Sequence, residues 1–258
     1  MKFNFKLNNY FNNKNALYLF YILLLVIVFI FVILKSKYNE LFTNMNGLNK
    51  CDGLVYINLE NRPDRKTLLL EEVKKINIDE NKLFKVSGIY IPKNGHKGCS
   101  QSHIIALNIA KMNNWNITCI MEDDMELLVS PKEFNDHIND IFNEIDKKNI
   151  HWDVLLLSHV NKIINNNSEK YSYLERLKSM TTSTCYLIKK EYIDKLLHVF
   201  EKSQLLMNYD KWGNDNKFEY NALDQKWLQL MPIDNWYTSK INLIKQRNIK
   251  STTNAKGI

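Results

Sequence analysis

Residues Cys119 to Leu127 read CIMEDDMEL, which sets three carboxylates, Glu122, Asp123 and Asp124, directly behind an apolar run. Adjacent carboxylates repel one another, and at the end of a buried strand, where the dielectric is low, that repulsion pushes at least one pKa upward. A divalent cation removes the conflict. Hard cations such as Mn2+ or Mg2+ take carboxylate oxygens and keep their remaining positions for water or substrate phosphates. Along an extended chain residues i and i+2 share a face, so Glu122 and Asp124 are expected to point together while Asp123 turns away. The same residues also fit a solvated acidic turn. The preceding Ile117-Thr118-Cys119-Ile120 is apolar enough to be buried, and a buried strand holds its carboxyl end in place.

The elements that must position this cluster follow from periodicity. LVYINLENRPDR begins as a short apolar strand and breaks at Asn61 to Pro63; RKTLLLEEVKKI then has helical spacing, with Leu69, Val73 and Ile76 on one face. NKLFKVSGIY reads as a second strand, NGHKGCSQSHIIALNIAKMN as a glycine-punctuated loop feeding a helix, and ITCIMEDDMEL as strand then turn. SPKEFNDHINDIFNEI reads as a helix capped by Ser130 with Pro131 in its first turn. WDVLLLSHV and TTSTCYLIKK read as further strands, KEYIDKLLHVFEK as a helix, and NKIINNNSEK as an exposed loop whose Asn166-Asn167-Ser168 is an acceptor for glycosylation if the domain is luminal. Strands alternating with helices predict an α/β domain with a mainly parallel central sheet, in which chemistry collects at the carboxyl edge.

One segment does not belong to that domain. Ala16 to Leu34, ALYLFYILLLVIVFIFVIL, carries no charge over a length that crosses a bilayer as a helix. Lys35-Ser36-Lys37-Tyr38 follows it with no small-residue cleavage site, so the segment reads as an uncleaved anchor. The expected organisation is a polar, Asn-rich tail at 1–15, the anchor at 16–34, a stem at 35–53 and a catalytic domain at 54–258. Lys2, Lys6 and Lys14 lead the span, which favours a cytoplasmic N-terminus and a luminal or extracytoplasmic domain. The formal charge of +7 is largely local to this end: six lysines and one acid fall in residues 1–50, leaving 29 bases against 27 acids in residues 51–258. No basic stripe argues for nucleic acid. The four cysteines are scattered with no CxxC pair, so neither a zinc ribbon nor a disulfide scaffold is supported; Cys119 and Cys185 read as core residues, and a Cys51–Cys99 disulfide stays open.

Three blocks, VYINLENRPDR, GCSQSHIIALNIA and CIMEDDMEL, in this order and spacing resemble glycosyltransferase family 25, the group of bacterial lipooligosaccharide and collagen β-galactosyltransferases. More faintly the resemblance runs from about Leu54 to Ser251. It implies a GT-A fold, a nucleotide-sugar donor, by analogy UDP-galactose, and an inverting transfer to a hydroxyl of a glycan or protein acceptor. Carried over by position, Asp124 would ligate Mn2+ and Glu122 would share the metal or position the nucleotide. Asn58, Arg62 and Arg65 would lie near the base and diphosphate, where an arginine fork matches phosphate oxygens. Arg65 could equally pair with Glu71 or Glu72 on its own helix. In KGCSQSH, Gly98 would release the chain into a helix that Ser100 caps, with Ser102 and His103 in a first turn whose N–H groups suit an anionic ligand; a plain capped helix fits as well. By its position in the family His103 could contact the donor or the metal, its alternative being a hydrogen-bonded structural residue.

Inversion requires a carboxylate to draw a proton from the acceptor hydroxyl. Asp224, ahead of an amphipathic segment with Trp227 and Leu228, is the candidate, its alternative role being a helix cap. Tyr186 reads as core packing with a hydrogen-bonded hydroxyl. Trp212, Trp227 and Trp236 could stack on sugars or pack inside. NYDKWGNDNKFEY fits no pattern. Two other functions stay open: an inactive membrane-tethered sugar- or protein-binding module, and a metal-dependent phosphohydrolase, for which no second dense set of His and Asp ligands is present.

Overall fold

The computed structural model of the chain describes residues 14–44, 46–92, 94–166, 168–208 and 220–248. They fall into two units, Met1–Met45 and Asn46–Ile258. The first holds one helix, α1 (Lys14–Asn44), of 31 residues. At 1.5 Å per residue it is about 46 Å long, more than a hydrocarbon core needs. Its window Leu17–Lys35 has a mean hydropathy of 3.3 and none of it is buried, so the helix is apolar enough to cross a membrane. The helix runs on through the first ten residues of the expected stem. Most of the N-terminal tail, residues 1–13, lies outside the described residues.

The second unit opens with a short 3-10 turn, Gly47–Lys50, whose Leu48 is fully buried. There follow β1 (Gly53–Asn58), α2 (Pro63–Lys75), β2 (Leu83–Ser87), α3 (Gly95–Met112), β3 (Ile117–Glu122), β4 (Met125–Leu127), α4 (Pro131–Lys148), β5 (Val154–Leu156), β6 (Val160–Ile164), β7 (Leu174–Thr181), β8 (Cys185–Lys189), α5 (Ile193–Asn208), α6 (Leu223–Lys226), β9 (Trp236–Ser239) and β10 (Ile244–Gln246). Eight strands form one sheet in the order β2-β1-β3-β8-β5-β9-β7-β6; β4 and β10 form a separate ribbon.

Side chains alternate across the sheet. Leu54, Cys119, Cys185 and Leu187 face one core with Leu69 and Val73 of α2 and Phe134, Ile138 and Ile141 of α4. Val55, Ile120, Tyr186 and Ile188 face the other, with Leu107 of α3 and Leu196 and Phe200 of α5. The result is the expected α/β layering, helices on both faces of a sheet whose strands are apolar on both sides. Ser130 caps α4 by accepting from the Glu133 N–H, and Pro131 is in its first turn. Cys119 and Cys185 are buried neighbours with sulfurs 3.8 Å apart. All four cysteines are free; Cys51 lies in the first core and Cys99 packs against the second, so the sheet separates them.

Six of the eight strands run one way, and two depart from the parallel expectation: β8 lies antiparallel between β3 and β5, and β7 antiparallel between β9 and β6. The first four residues of the loop read in NKIINNNSEK, 161–164, belong instead to β6, which forms a hairpin with β7. Its strands hide from periodicity because β6 is an edge strand with little burial, its register with β7 shifts twice, and Asn161 takes φ +51. The helix start is also displaced. Asn94, not Ser100, caps α3, accepting from the Lys97 N–H, and Ser100 is fully buried within the helix. Asn is as good a cap as Ser, and the first suitable residue takes the role. Ser102 and His103 therefore lie beyond the first turn.

Gly98 now has a packing role. A Cβ on it would sit 2.2 Å from the carbonyl oxygen of Ile89, so only glycine lets the loop after β2 close onto α3. Gly98→Ala is expected to lower stability by about 1–3 kcal/mol through overpacking, although alanine is the better helix former. Thermal unfolding of the full-length protein in detergent reads this, and an unchanged or higher Tm would show that the loop simply gives way.

Candidate functional site

At the carboxyl end of β3 the chain leaves the sheet: Thr118 to Met121 are fully buried, Glu122 is the last strand residue, and Asp123-Asp124 form the turn into β4. Glu122 and Asp124 both line the cleft beside this turn, but they share no hydrogen-bond partner among the described residues. Each of the three acids is instead held by a different set of partners.

Asp123 is a clasp. Its Oδ2 accepts from Asn58 Nδ2 at 2.8 Å and its Oδ1 from Arg65 Nη1 at 3.0 Å. Asn58 ends β1 and also donates to the Arg62 carbonyl, at 2.9 Å. Burial pushes the Asp123 carboxyl up, against the bonds from Asn58 and Arg65. Asn58 is buried against Asp123 and is not among the residues that line the cleft beside the cluster. Arg65, which does line it, pairs with Asp123 and more distantly with Asp124 Oδ2 at 3.6 Å; Glu72 pairs with Arg247 and Lys75, each at 3.0 Å. Arg62 binds Asp64 at 2.7 Å on the outer side and is likewise absent from the lining among the described residues.

Asp124 is buried, and its two oxygens differ. Oδ2 accepts from Gln246 Nε2 at 3.0 Å, while Oδ1 has no hydrogen-bond partner among the described residues. The Arg247 N–H donates to its main-chain carbonyl at 2.6 Å, so β10, pairing with β4, ties the turn down. Burial first, then the charge of Glu122, raise the Asp124 carboxyl to about 7, against the Gln246 bond and Arg65. A buried carboxylate oxygen without a donor is what a cation would satisfy. Asp124 thus fits a Mn2+ or Mg2+ ion.

Glu122 is about a fifth exposed, and its hydrogen bonds fall on Oε1, from Ser183 Oγ and at 3.2 Å to His103 Nε2. Burial opposes its charge, but the bonds from His103 and Ser183 and the nearby Arg65 hold the carboxyl below the ordinary range. His103 is fully buried, with Nδ1 3.0 Å from the Tyr186 hydroxyl. Tyr186 is a core residue with a bonded hydroxyl, as expected. Ser102 donates to the Gly98 carbonyl and accepts from the Ile89 N–H, both at 2.8 Å, which fixes the loop after β2 onto α3.

Asp224 faces the same cleft from α6. It does not cap that helix; the cap position is Ala222, and Asp224 Oδ2 accepts from the Thr182 N–H at 3.0 Å. Burial and the charge of Glu122 push it up, against the Thr182 bond. Thr182 has φ +81, a conformation β-branched residues rarely adopt, at the turn that presents Ser183 to Glu122. The antiparallel β8 makes this possible, since its first residues lie beside the last of β3, and Glu122 N–H donates to the Thr184 carbonyl at 2.8 Å. Ser183, Gln246 and Arg247 have no assigned role in the sequence reading; the run of hydroxyls Thr181 to Thr184 ahead of an apolar strand is the trace that Ser183 leaves.

The cleft holds about 600 Å3, within the size of small-molecule sites. Trp227 and Trp236 are fully buried in the core, with ring N–H groups donating to the Met180 carbonyl and the Tyr192 hydroxyl, so neither is a sugar platform. Trp212 and residues 209–219 of the segment that fits no pattern lie outside the described residues, as do residues 249–251, where the family resemblance ends.

No protein-family model matches the sequence, and no curated protein matches it. Among solved structures the chain is similar to a glycosyltransferase involved in glycosylation of the major capsid of PBCV-1, at 12% identity and TM-score 0.45 over 78% of this chain and 95% of that one. It is similar to mannose-1-phosphate geranyltransferase from Thermus thermophilus, at 6% identity and TM-score 0.45 over 75% and 74%, and to A197 from STIV, at 12% identity and TM-score 0.41 over 77% and 95%. Likenesses of this size leave the chemistry to be read from the residues.

A folded-state value near 7 for Asp124, against an ordinary 3.8, means that the folded chain holds this proton more tightly than the unfolded chain. The resulting penalty is absent below about pH 4, grows as pH rises, and is complete above about pH 7. In chelator, Asp124→Asn is therefore expected to raise Tm at pH 8, with a gain that fades towards pH 4. A lower Tm than wild type at pH 8 would mean that the carboxylate is a stabilising group and not a strained one.

Proposed function

We propose that the chain is a membrane-anchored, metal-dependent glycosyltransferase that moves a hexose from a nucleotide sugar to a hydroxyl acceptor with inversion. The observation that carries this reading is Asp124 Oδ1, a buried and unpartnered carboxylate oxygen in a cleft of about 600 Å3 at the carboxyl edge of the sheet. A bound Mn2+ or Mg2+ would neutralise the diphosphate of the donor. Asp124 would hold it through Oδ1. Glu122, with its hydrogen bonds on Oε1, has Oε2 left for the ion or the nucleotide. Arg65 brings positive charge to the cleft wall, and Ser102 and His103 act through the loop and the carboxylate they hold.

Asp224 is the proton acceptor in this reading. It lines the cleft, is fixed by the Thr182 N–H, and its raised pKa makes it a stronger base than an ordinary aspartate. The three sequence blocks support glycosyltransferase family 25, UDP-galactose as donor, and a glycan or protein side chain as acceptor. The span at residues 16–34 would anchor the enzyme with its N-terminus in the cytoplasm and the site on the luminal or extracytoplasmic side.

Full-length protein in detergent, given Mn2+ and a panel of nucleotide sugars, tests the reading. Wild type is expected to bind one donor in a Mn2+-dependent way and to hydrolyse or transfer its sugar slowly. Asp124→Ala should abolish metal-dependent binding, and binding retained in that variant would sink the assignment. Asp224→Asn should keep donor binding and lose transfer by about 100- to 10,000-fold; full transfer would move the base elsewhere. Binding without turnover in wild type would make the chain a binding module.

A further inference from the structure

The wall of the same cleft contains a second set of groups with cation chemistry of a different kind. Cys99 and His103 are four residues apart on α3 and so share one helix face, which meets the end of β3. There a ligand atom from each of Cys99, His103 and Glu122, a thiol sulfur, a ring nitrogen and a carboxylate oxygen, lies within 4.8 Å of the other two. His103 is fully buried and tied at its far edge, Nδ1 being 3.0 Å from the Tyr186 hydroxyl. Metal-binding imidazoles are oriented in this way, one nitrogen towards the ion and the other held by a hydrogen-bonding partner. All three residues line the cleft, which leaves an entry path and an open coordination position.

We infer that Cys99, His103 and Glu122 form a binding site for a borderline-soft dication, Zn2+ above all, which shares Glu122 with the oxygen site at Asp124 but differs from it in its sulfur and imidazole ligands. Ligand type makes the distinction: sulfur and imidazole favour Zn2+ and Co2+, whereas Mn2+ and Mg2+ favour carboxylates, carbonyls and water. On binding, the Cys99 S–H bond breaks, the proton leaves to solvent, and the thiolate electron pair bonds the ion. In the free protein the Nε2–H of His103 donates to Glu122; on binding that proton leaves to solvent and Nδ1 takes one up, its N–H turned to the Tyr186 hydroxyl, so His103 coordinates as a neutral ring through Nε2. The contact between Nε2 and Glu122, 3.2 Å long, opens to admit the ion between them. The inference does not depend on the transferase reading, since a chain that binds no nucleotide sugar can still hold this ion.

Co2+ is the probe, added to chelator-treated, desalted full-length protein in detergent. Wild type is expected to develop a thiolate-to-cobalt charge-transfer band that saturates at one ion per chain and disappears when Zn2+ is added. Cys99→Ser should lose the band while keeping wild-type circular dichroism. Glu122→Gln should keep it with affinity lowered by at least about tenfold. Asp124→Asn should keep the band at wild-type affinity. The site is overturned if wild type gives no band, if the band survives in Cys99→Ser, if Glu122→Gln binds as tightly as wild type, or if Asp124→Asn abolishes the band.

Discussion

A buried clasp between Asp123, Arg65 and Asn58 holds the acidic turn together. The side chains of Arg65 and Asp123 are only 7% and 9% exposed, and they join the end of β3 to the first turn of α2 while Asn58 joins it to the end of β1. Removing one partner from a buried pair of this kind costs about 3–5 kcal/mol, because the other charge stays behind without compensation. Two neighbouring strands and a helix are thereby locked in register at the point where the chain leaves the sheet. The middle acid uses both its oxygens on structure, and the flanking acids are left to face the cleft.

The second constraint is topological. Had β8 run parallel to β3, its carboxyl end would meet Glu122 and its first residues would lie at the opposite edge of the sheet. Because it is antiparallel, Met121 pairs with Cys185, and the Thr182–Thr184 turn is delivered directly to Glu122 and Asp224. The ribbon of β4 and β10 does the same on the other side, with Gln246 opposite Met125 and its amide on Asp124. Both flanking acids are thus reached by reversed chain segments, which a sheet of purely parallel strands would not supply.

This also explains how far the residues alone reveal the fold. The helices were legible where an apolar stripe and a cap coincide, as in α4 with Ser130, Pro131, Phe134 and Ile138. The strands buried on both faces, β1, β3 and β8, were legible as apolar runs. The β6–β7 hairpin was not, since edge strands need no continuous apolar face, and strand direction leaves no local trace at all. The acidic cluster itself stood out, whereas its partners did not: Arg65 could be seen as an arginine near a helix start, but only the fold decides between Asp123 and a glutamate on its own helix. Likewise Gln246 lies 122 positions from Asp124, and no periodicity links residues that far apart.

The flanking acids differ in charge state for reasons of contact. Glu122 is given donors by His103 and Ser183 and stays ionised; Asp124 has a donor on one oxygen only and is pushed towards neutrality, partly by Glu122 itself. Environments that drive neighbouring carboxyls apart are how sites separate roles among identical groups. The same negative field acts on Cys99, whose thiol is raised well above its ordinary value by burial and by the charges of Glu122, Asp224 and Asp124. The ionised acids and the thiolate of the wall would each be stabilised by positive charge arriving in the cleft, and the guanidinium of Arg65, which also lines it, already serves Asp123. A bound cation would stabilise the ionised form of each acid and of the thiol without needing room for a further side chain.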